Sequence, residues 1–284
     1  MLTCPACVSV AHALVPVSVH WYGVMYLVAF FGGWWLGRIR AAVPGSQWKP
    51  QEIDDLLFYM ALGVVLGGRV GYVLFYDFEN LLKDPLLLFR IWQGGMSFHG
   101  GLLGVLVAMS LFSSRFNKKF FDCTDFVAPL VPLGLGAGRL GNFINGELWG
   151  GPTSLPWGVR LSCEIFPETC YDKLQLAAGT KLSPALHPSQ LYEALLEGFG
   201  LFVLVWIFSS RIRPTMAVSG VFLIGYGLVR FAIEFVRMPD VQIGYLAFDW
   251  LTMGQLLSAP MLLGGGVLVA IAYARNQPDR IRGG

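Results

Sequence analysis

Apolar positions along the chain gather into seven long runs, over residues 19–37, 54–76, 96–113, 125–143, 189–209, 216–236 and 250–273, and charged positions crowd between them. A helix needs roughly 20 predominantly apolar residues to cross the hydrocarbon core of a bilayer, and each run is near that length. The pattern predicts an all-α integral membrane protein: a single membrane-embedded domain, 1–284, with seven transmembrane helices. Pro129, Pro132 and a run of glycines interrupt the fourth span, whose limits are the least defined. One extended polar segment remains, 144–188, and its Gly150, Gly151, Pro152, Pro156, Pro167 and Pro184 read as a small cap outside the bilayer.

Composition strengthens this reading. Hydrophobic residues make up 55% of the chain and charged residues 13%, whereas a soluble domain carries about 25% charged residues. So few charges cannot cover a water-facing surface. The nine tryptophans suit aromatic belts at the membrane interfaces. A net charge of +2 gives no reason to expect nucleic acid. No Lys or Arg precedes Arg38, so the N-terminus lacks the basic region of a cleavable signal peptide. The five cysteines, Cys4, Cys7, Cys123, Cys163 and Cys170, are an odd number and make no disulfide framework. Cys4 and Cys7 form a CxxC without further ligands and read as incidental. Cys163 and Cys170 lie in the cap, where an oxidising compartment permits a disulfide; the sequence leaves their pairing open.

Lys and Arg set the orientation, because cytoplasmic connections carry their excess. With the N-terminus outside, inner segments hold Arg38, Arg40, Lys49, Arg115, Lys118, Lys119, Arg211, Arg213, Arg275, Arg280 and Arg282. Outer segments hold Lys83, Arg90, Arg160, Lys173, Lys181 and Arg237, and Arg160, Lys173 and Lys181 lie in the long cap, which translocates largely regardless of charge. The expected topology is N-out, C-in.

Arg69, Arg139 and Arg230 fall inside or at the edges of spans. An arginine at the bilayer centre costs at least ~2.5 kcal/mol on insertion scales, so it persists where it pairs, lines a wet cavity or binds an anion. The sixth span reads GYGLVRFAIEFVR, 225–237, and puts Tyr226, Arg230, Glu234 and Arg237 on one helical face. A buried Arg–Glu pair would serve helix association alone. A stripe of these four polar residues in lipid favours a cavity wall, with Glu234 orienting Arg230 toward an anion.

The stretch GLGAGRLGNFINGELWG, 134–150, has Gly134, Ala137, Gly138 and Gly141 for close helix packing. Packing does not account for Arg139, Asn142, Asn145 and Glu147. Arg139 and Asn142 share a face and can hold a phosphate and its neighbouring hydroxyls, the arginine by two parallel bonds. GGMSFHGG, 94–101, sets His99 between glycine pairs, either as a hydrogen-bonded structural residue or as a general base. In HPSQLYE, 187–193, Ser189, Pro188 and Glu193 fit the start of a helix, and His187 is a supporting candidate. His20 and Tyr22 are interface anchors or cavity residues. All these clusters map toward the outer leaflet, where a site meets phospholipid head groups and freshly exported polypeptide.

At GRLGNFINGELWG the chain resembles the prolipoprotein diacylglyceryl transferases, bacterial inner-membrane enzymes that begin lipoprotein maturation. The resemblance runs from about His20 to Gln255 and includes HWYG at 20–23, LGGRVGYVLFY at 66–76, GGMSFHGG, HPSQLYE and GYGLVRFAIEF at 225–235. It implies a seven-helix membrane body with a periplasmic head and transfer of diacylglyceryl from phosphatidylglycerol to the lipobox cysteine of a preprolipoprotein. No metal or organic cofactor is implied. By the resemblance, Arg139 matches the phosphatidylglycerol-binding arginine, Arg230 a second essential arginine and His99 the histidine of the HGG motif. Tyr22, Asn142 and Gly150 match positions needed for activity, and Asp125, Glu147, Tyr226 and Glu234 match polar residues of the cavity.

The chemistry of the residues suits this reaction. A thiol of pKa about 8.5 needs a base or a positive field to become thiolate, and two guanidiniums stabilise a departing phosphate ester. A lipid flippase or transporter with an anionic head-group site is the rival of another class, although no inverted repeat is visible. A metal-dependent head-group phosphotransferase would need more carboxylates than Asp122 and Asp125 provide.

Overall fold

The computed structural model describes residues 7–9, 18–238, 244–248 and 250–275. Cys4, Arg280 and Arg282 lie outside the described residues, as do the side chains of Cys7 and His20. The helices are α1 (Trp21–Ala41), α2 (Pro50–Tyr76), α3 (Phe78–Lys83), α4 (Phe98–Arg115), α5 (Phe120–Val127), α6 (Val131–Asn145), α7 (Ser189–Glu193), α8 (Leu201–Ser209), α9 (Ala217–Ile233) and α10 (Met253–Ala274). A π-helical stretch, Ala194–Gly200, joins α7 and α8 into one helix, Ser189–Ser209. Two three-residue strands, β1 (Cys7–Ser9) and β2 (Ser18–His20), pair antiparallel.

Helix thus occupies each of the seven apolar runs. Among the described residues four helices, α2, α4, Ser189–Ser209 and α10, are long and apolar enough to cross a membrane. A fifth is added if α5 and α6, broken over 128–130 beside Pro129 and Pro132, form one span. α9 is apolar but has 17 residues. Large apolar side chains such as Phe31, Phe75, Leu103 and Leu263 stand exposed along these helices, which is costly in water and favourable in lipid.

The chain divides into two compact units. In the first, residues 34–127, α2 and α4 run in backbone contact. A Cβ on Gly63 would stand 2.6 Å from the Gly104 carbonyl oxygen, and one on Gly71 would stand 2.7 Å from Gly100 Cα. The glycines of LGGRVGY and HGG therefore permit an approach that larger residues would block. Arg69, which is 3% exposed, donates from its two terminal nitrogens to the carbonyls of Leu87 (2.6 Å), Gly94 and Gly95 (3.3 Å), so backbone oxygens hold the end of this arginine and tie down the α3–α4 connection. At the basic end of the unit, Arg38 pairs with Asp54 at 2.7 Å and Lys118 with Glu52 at 3.1 Å. The Lys118 ammonium also sits 4.3 Å from the centre of the Trp48 ring.

The second unit holds the described residues up to Gly33 and those from Ala128 to Arg275. Its helices also meet at glycines: a Cβ on Gly265 of α10 would lie 2.8 Å from the Gly220 carbonyl of α9. α6 ends at Gly146, whose left-handed φ of 72° lets its N–H cap the Asn142 and Phe143 carbonyls. The segment that follows packs Trp149, Leu161 and Leu186 into a small core with Phe143, Phe166 and Met238. Backbone bridges Pro152↔Leu186 and Val159↔Leu186 order it, and a Cys163–Cys170 disulfide closes it.

Candidate functional site

Three cationic and three anionic side chains interlock inside the second unit. Their positions follow from the helices that carry them. α6 presents Arg139, and α7 with the π stretch presents Glu193 and Glu197. α9 and the turn after it present Arg230, Glu234 and Arg237. Gly136 of α6 faces Gly198 of the π stretch, where a Cβ would stand 3.1 Å from Gly198 Cα. That approach lets the short Glu side chains reach Arg139. The i→i+5 winding of a π stretch widens the helical turn, and Glu193 and Glu197 both come within 3.3 Å of the same atom, Arg139 Nε.

Glu193 is the centre of the arrangement. Its Oε1 accepts from Arg230 Nη1 at 2.8 Å and from Arg237 Nη1 at 2.9 Å, and its Oε2 faces Arg139. Glu234 pairs with Arg230 at 2.5 Å and with Arg237 at 3.4 Å, and accepts a bond from the Thr252 hydroxyl at 2.7 Å. The same hydroxyl accepts from Gln255 N and caps α10. Glu193 and Glu197 have no exposed surface. A buried carboxylate is costly unless paired, and here each is set against guanidinium. Arg139 Nε donates to Glu197 Oε2 and forms an ion pair with Glu193 Oε2, so neither contact uses the two terminal nitrogens of its fork. Tyr226 lies close enough to Glu197, Arg139 and Arg230 to feel their charges.

Most of the site residues expected from the sequence fall in this unit. Asn142 is buried and donates to Glu147 Oε2 at 3.2 Å. Glu147 also accepts Gln190 Nε2 at its carbonyl, and the adjacent Leu148 carbonyl accepts Ser189 Oγ at 2.8 Å. Ser189 therefore bonds back to the segment after α6 and does not cap its own helix. The Tyr22 ring packs over Gly141, two residues beyond Arg139: a Cβ there would lie 3.3 Å from Tyr22 Cδ2. Gly150 pairs with Arg237 across a backbone bridge, between His187 and Val236. His187 Nδ1 lies 3.3 Å from the Tyr192 hydroxyl.

His99 and Asp125 belong to the first unit. His99 is exposed at the start of α4, its ring edge-on to Phe98 at 5.6 Å, in a turn capped by Ser97 Oγ on Gly100 N. Asp125 is fully buried in α5. Among the described residues no group of three or more His, Cys, Asp or Glu is arranged to hold a metal ion.

From the sequence Glu193 reads as a helix-start residue, and neither Glu197 nor the pairing of Arg237 is anticipated. A signal was present: Glu193 and Glu197 stand at i, i+4 within an apolar span, and an intramembrane carboxylate marks a site as an arginine does.

A family model described as prolipoprotein diacylglyceryl transferase matches residues 9–271 of the chain. The chain is 55% identical over 276 residues to the phosphatidylglycerol–prolipoprotein diacylglyceryl transferase of Azotobacter vinelandii, covering 97% of this chain and 98% of that protein. The proteins of the same name from Solidesulfovibrio magneticus and Methylococcus capsulatus are 56% and 55% identical. They are covered over 95% and 99% of their lengths, with 95% and 97% of this chain.

Proposed function

The chain belongs to the prolipoprotein diacylglyceryl transferase family, and on that premise we propose the reaction it performs. It transfers the diacylglyceryl group of phosphatidylglycerol to the lipobox cysteine of a preprolipoprotein, forming a thioether and releasing glycerol phosphate. The observation that carries this reading is the joining of Arg139 and Arg230, from separate helices, on one buried carboxylate. Two guanidiniums held together in a site shielded from water are suited to a phosphodiester, whose charge grows as its ester bond breaks.

In this mechanism the free fork of Arg139 and the remaining donors of Arg230 hold the phosphate. Asn142 and Glu147 bind the hydroxyls beside it, and Tyr22, Tyr226, Glu234 and Gly150 complete the binding region. The cysteine sulfur bonds to the glyceryl carbon. The C–O bond to the phosphate breaks, and its electron pair leaves with the phosphate oxygen. The thiol proton passes to a base.

The protein is read as crossing the bacterial inner membrane seven times, N-out and C-in, with 144–188 as a periplasmic head over the site. Three observations support this sidedness. Arg38 and Lys118 gather with other basic residues at one end of the first unit. Lys and Arg are in excess in the segments assigned to the inside. The Cys163–Cys170 disulfide suits an oxidising compartment.

The test is transfer of labelled diacylglyceryl from phosphatidylglycerol to a lipobox peptide by the purified protein, beside Arg139→Ala. Transfer that requires the peptide cysteine and disappears in the variant is expected. Lipid binding without transfer by the wild type would overturn the assignment and favour a lipid transporter.

A further inference from the structure

We propose that Glu193 is a positioning residue: it fixes the separation and the charge of the two substrate-facing arginines, so that the transfer step depends on it while capture of the lipid does not. This rests on the transferase reading of the same site. Glu193 has no exposed surface, so it cannot touch substrate and acts through the residues it binds. Among the described carboxylates only Glu193 contacts both Arg139 and Arg230; Glu197 reaches Arg139, and Glu234 reaches Arg230. The link between α6 and α9 on this face therefore runs through one carboxylate.

The element that carries Glu193 is itself held. Ser189 and Gln190, one turn earlier, bond the carbonyls of Leu148 and Glu147. The carboxylate is thus the fixed member of the cluster, and the longer arginine side chains take their positions from it. Charge adds a second consequence. Arg139, Arg230 and Arg237 face Glu193, Glu197 and Glu234. Neutralising Glu193 leaves an excess positive charge, which strengthens attraction for a phosphodiester. It also removes the tie that keeps Arg139 beside Arg230. Ground-state binding of an anion needs charge, whereas stabilising a leaving phosphate needs donors placed where its charge develops. The two effects therefore separate in kinetics.

The experiment measures kcat and the KM for phosphatidylglycerol of the full-length protein with a saturating lipobox peptide, for wild type, Glu193→Gln and Glu193→Asp, with melting curves. Glu193→Gln is expected to lower kcat about 100-fold, the scale of losing one preorganised electrostatic contact, with KM for the lipid unchanged or lower. Glu193→Asp keeps the charge but withdraws it by one methylene, and is expected to lose about 10-fold in kcat, since a displacement of about 1 Å is costly in such sites. Glu193→Gln with wild-type kcat, or with a raised KM and unchanged kcat, would overturn the proposal. So would failure of both variants to fold, which would make Glu193 a folding residue. Absence of transfer by the wild type would instead reject the transferase reading.

Discussion

Gly198 and Gly136 lie backbone to backbone: a Cβ on Gly198 would stand 2.7 Å from Gly136 Cα. The contact is one residue from Glu197 and three from Arg139, so it sets how deeply the carboxylates of the π stretch reach into α6. Gly198→Val is expected to force the helices apart, costing about 1–3 kcal/mol as overpacking does, and to lower transfer at least about tenfold. Gly138→Ala, with nothing within 4 Å of the new methyl, should melt and react as wild type. Melting curves and transfer rates on the two variants check this, and equal behaviour of both would remove the packing argument.

Arg139→Lys keeps a positive charge and discards the planar fork. The ammonium cannot reproduce the Nε contacts to Glu193 and Glu197 while offering two parallel donors to a phosphate. The expected result is a folded protein whose kcat/KM falls about 100-fold. Kinetics matching the wild type would mean that charge alone is sufficient at this position.

Gly150 sits where no side chain fits. A Cβ would lie 2.5 Å from the Val236 carbonyl oxygen and 2.8 Å from His187 Cβ, and the Gly150 and Gly151 N–H groups bond His187 and Val236 carbonyls. Gly150→Ala is expected to open the bridge to Arg237, destabilise the protein by about 1–3 kcal/mol and weaken transfer. The clearest check is a transfer assay on protein that still melts cooperatively. Full activity there would show that Arg237 does not depend on this strand contact.

Arg69→Met should act on stability without touching the charge cluster. It leaves the partly exposed carbonyls of Leu87, Gly94 and Gly95 without their donor, and losing such hydrogen bonds costs about 0.5–1.5 kcal/mol each. Limited proteolysis is expected to cut sooner between α3 and α4. An unchanged digestion pattern and melting point would show that the connection is held by other contacts.

Cys163→Ser with Cys170→Ser removes a crosslink between residues 7 apart in sequence. A loop this short predicts a loss of about 2–3 kcal/mol, read as a lower melting point that reductant no longer changes. In the wild type, reductant should produce the same drop. A wild type indifferent to reductant would mean that the hydrophobic core of Trp149, Leu161 and Leu186 suffices.

Particular residues show how far the chain could be read without its fold. The helices lie where the apolar runs put them, and the broken fourth run is broken beside Pro129 and Pro132. Arg230, Glu234 and Arg237 keep the shared face expected from their spacing, even though α9 ends at Ile233 and the last turn is irregular. Arg69 carried the same signal as Arg139, an arginine inside a span, yet it binds backbone carbonyls. The sequence has no means of telling those two apart, because the carbonyls Arg69 uses come from a turn 18 to 26 residues away. The role of Glu193 is hidden for a similar reason: its place near a helix start offers a local explanation, while its partners come from α6, α9 and the turn after α9.

The sequence by itself determined the membrane character, the helical runs and the family, and it singled out Arg139 and Arg230. These depend on composition and on spacing within one segment, which hydropathy and helical period encode directly. Only the tertiary structure decided that Glu193 joins Arg139 to Arg230, that Gly136 and Gly198 bring their helices together, and that Gly150 is wedged against Val236. Those facts depend on the register between helices distant in sequence. Side-chain volumes and charge pairing set that register across the packed interior, and no single span contains it.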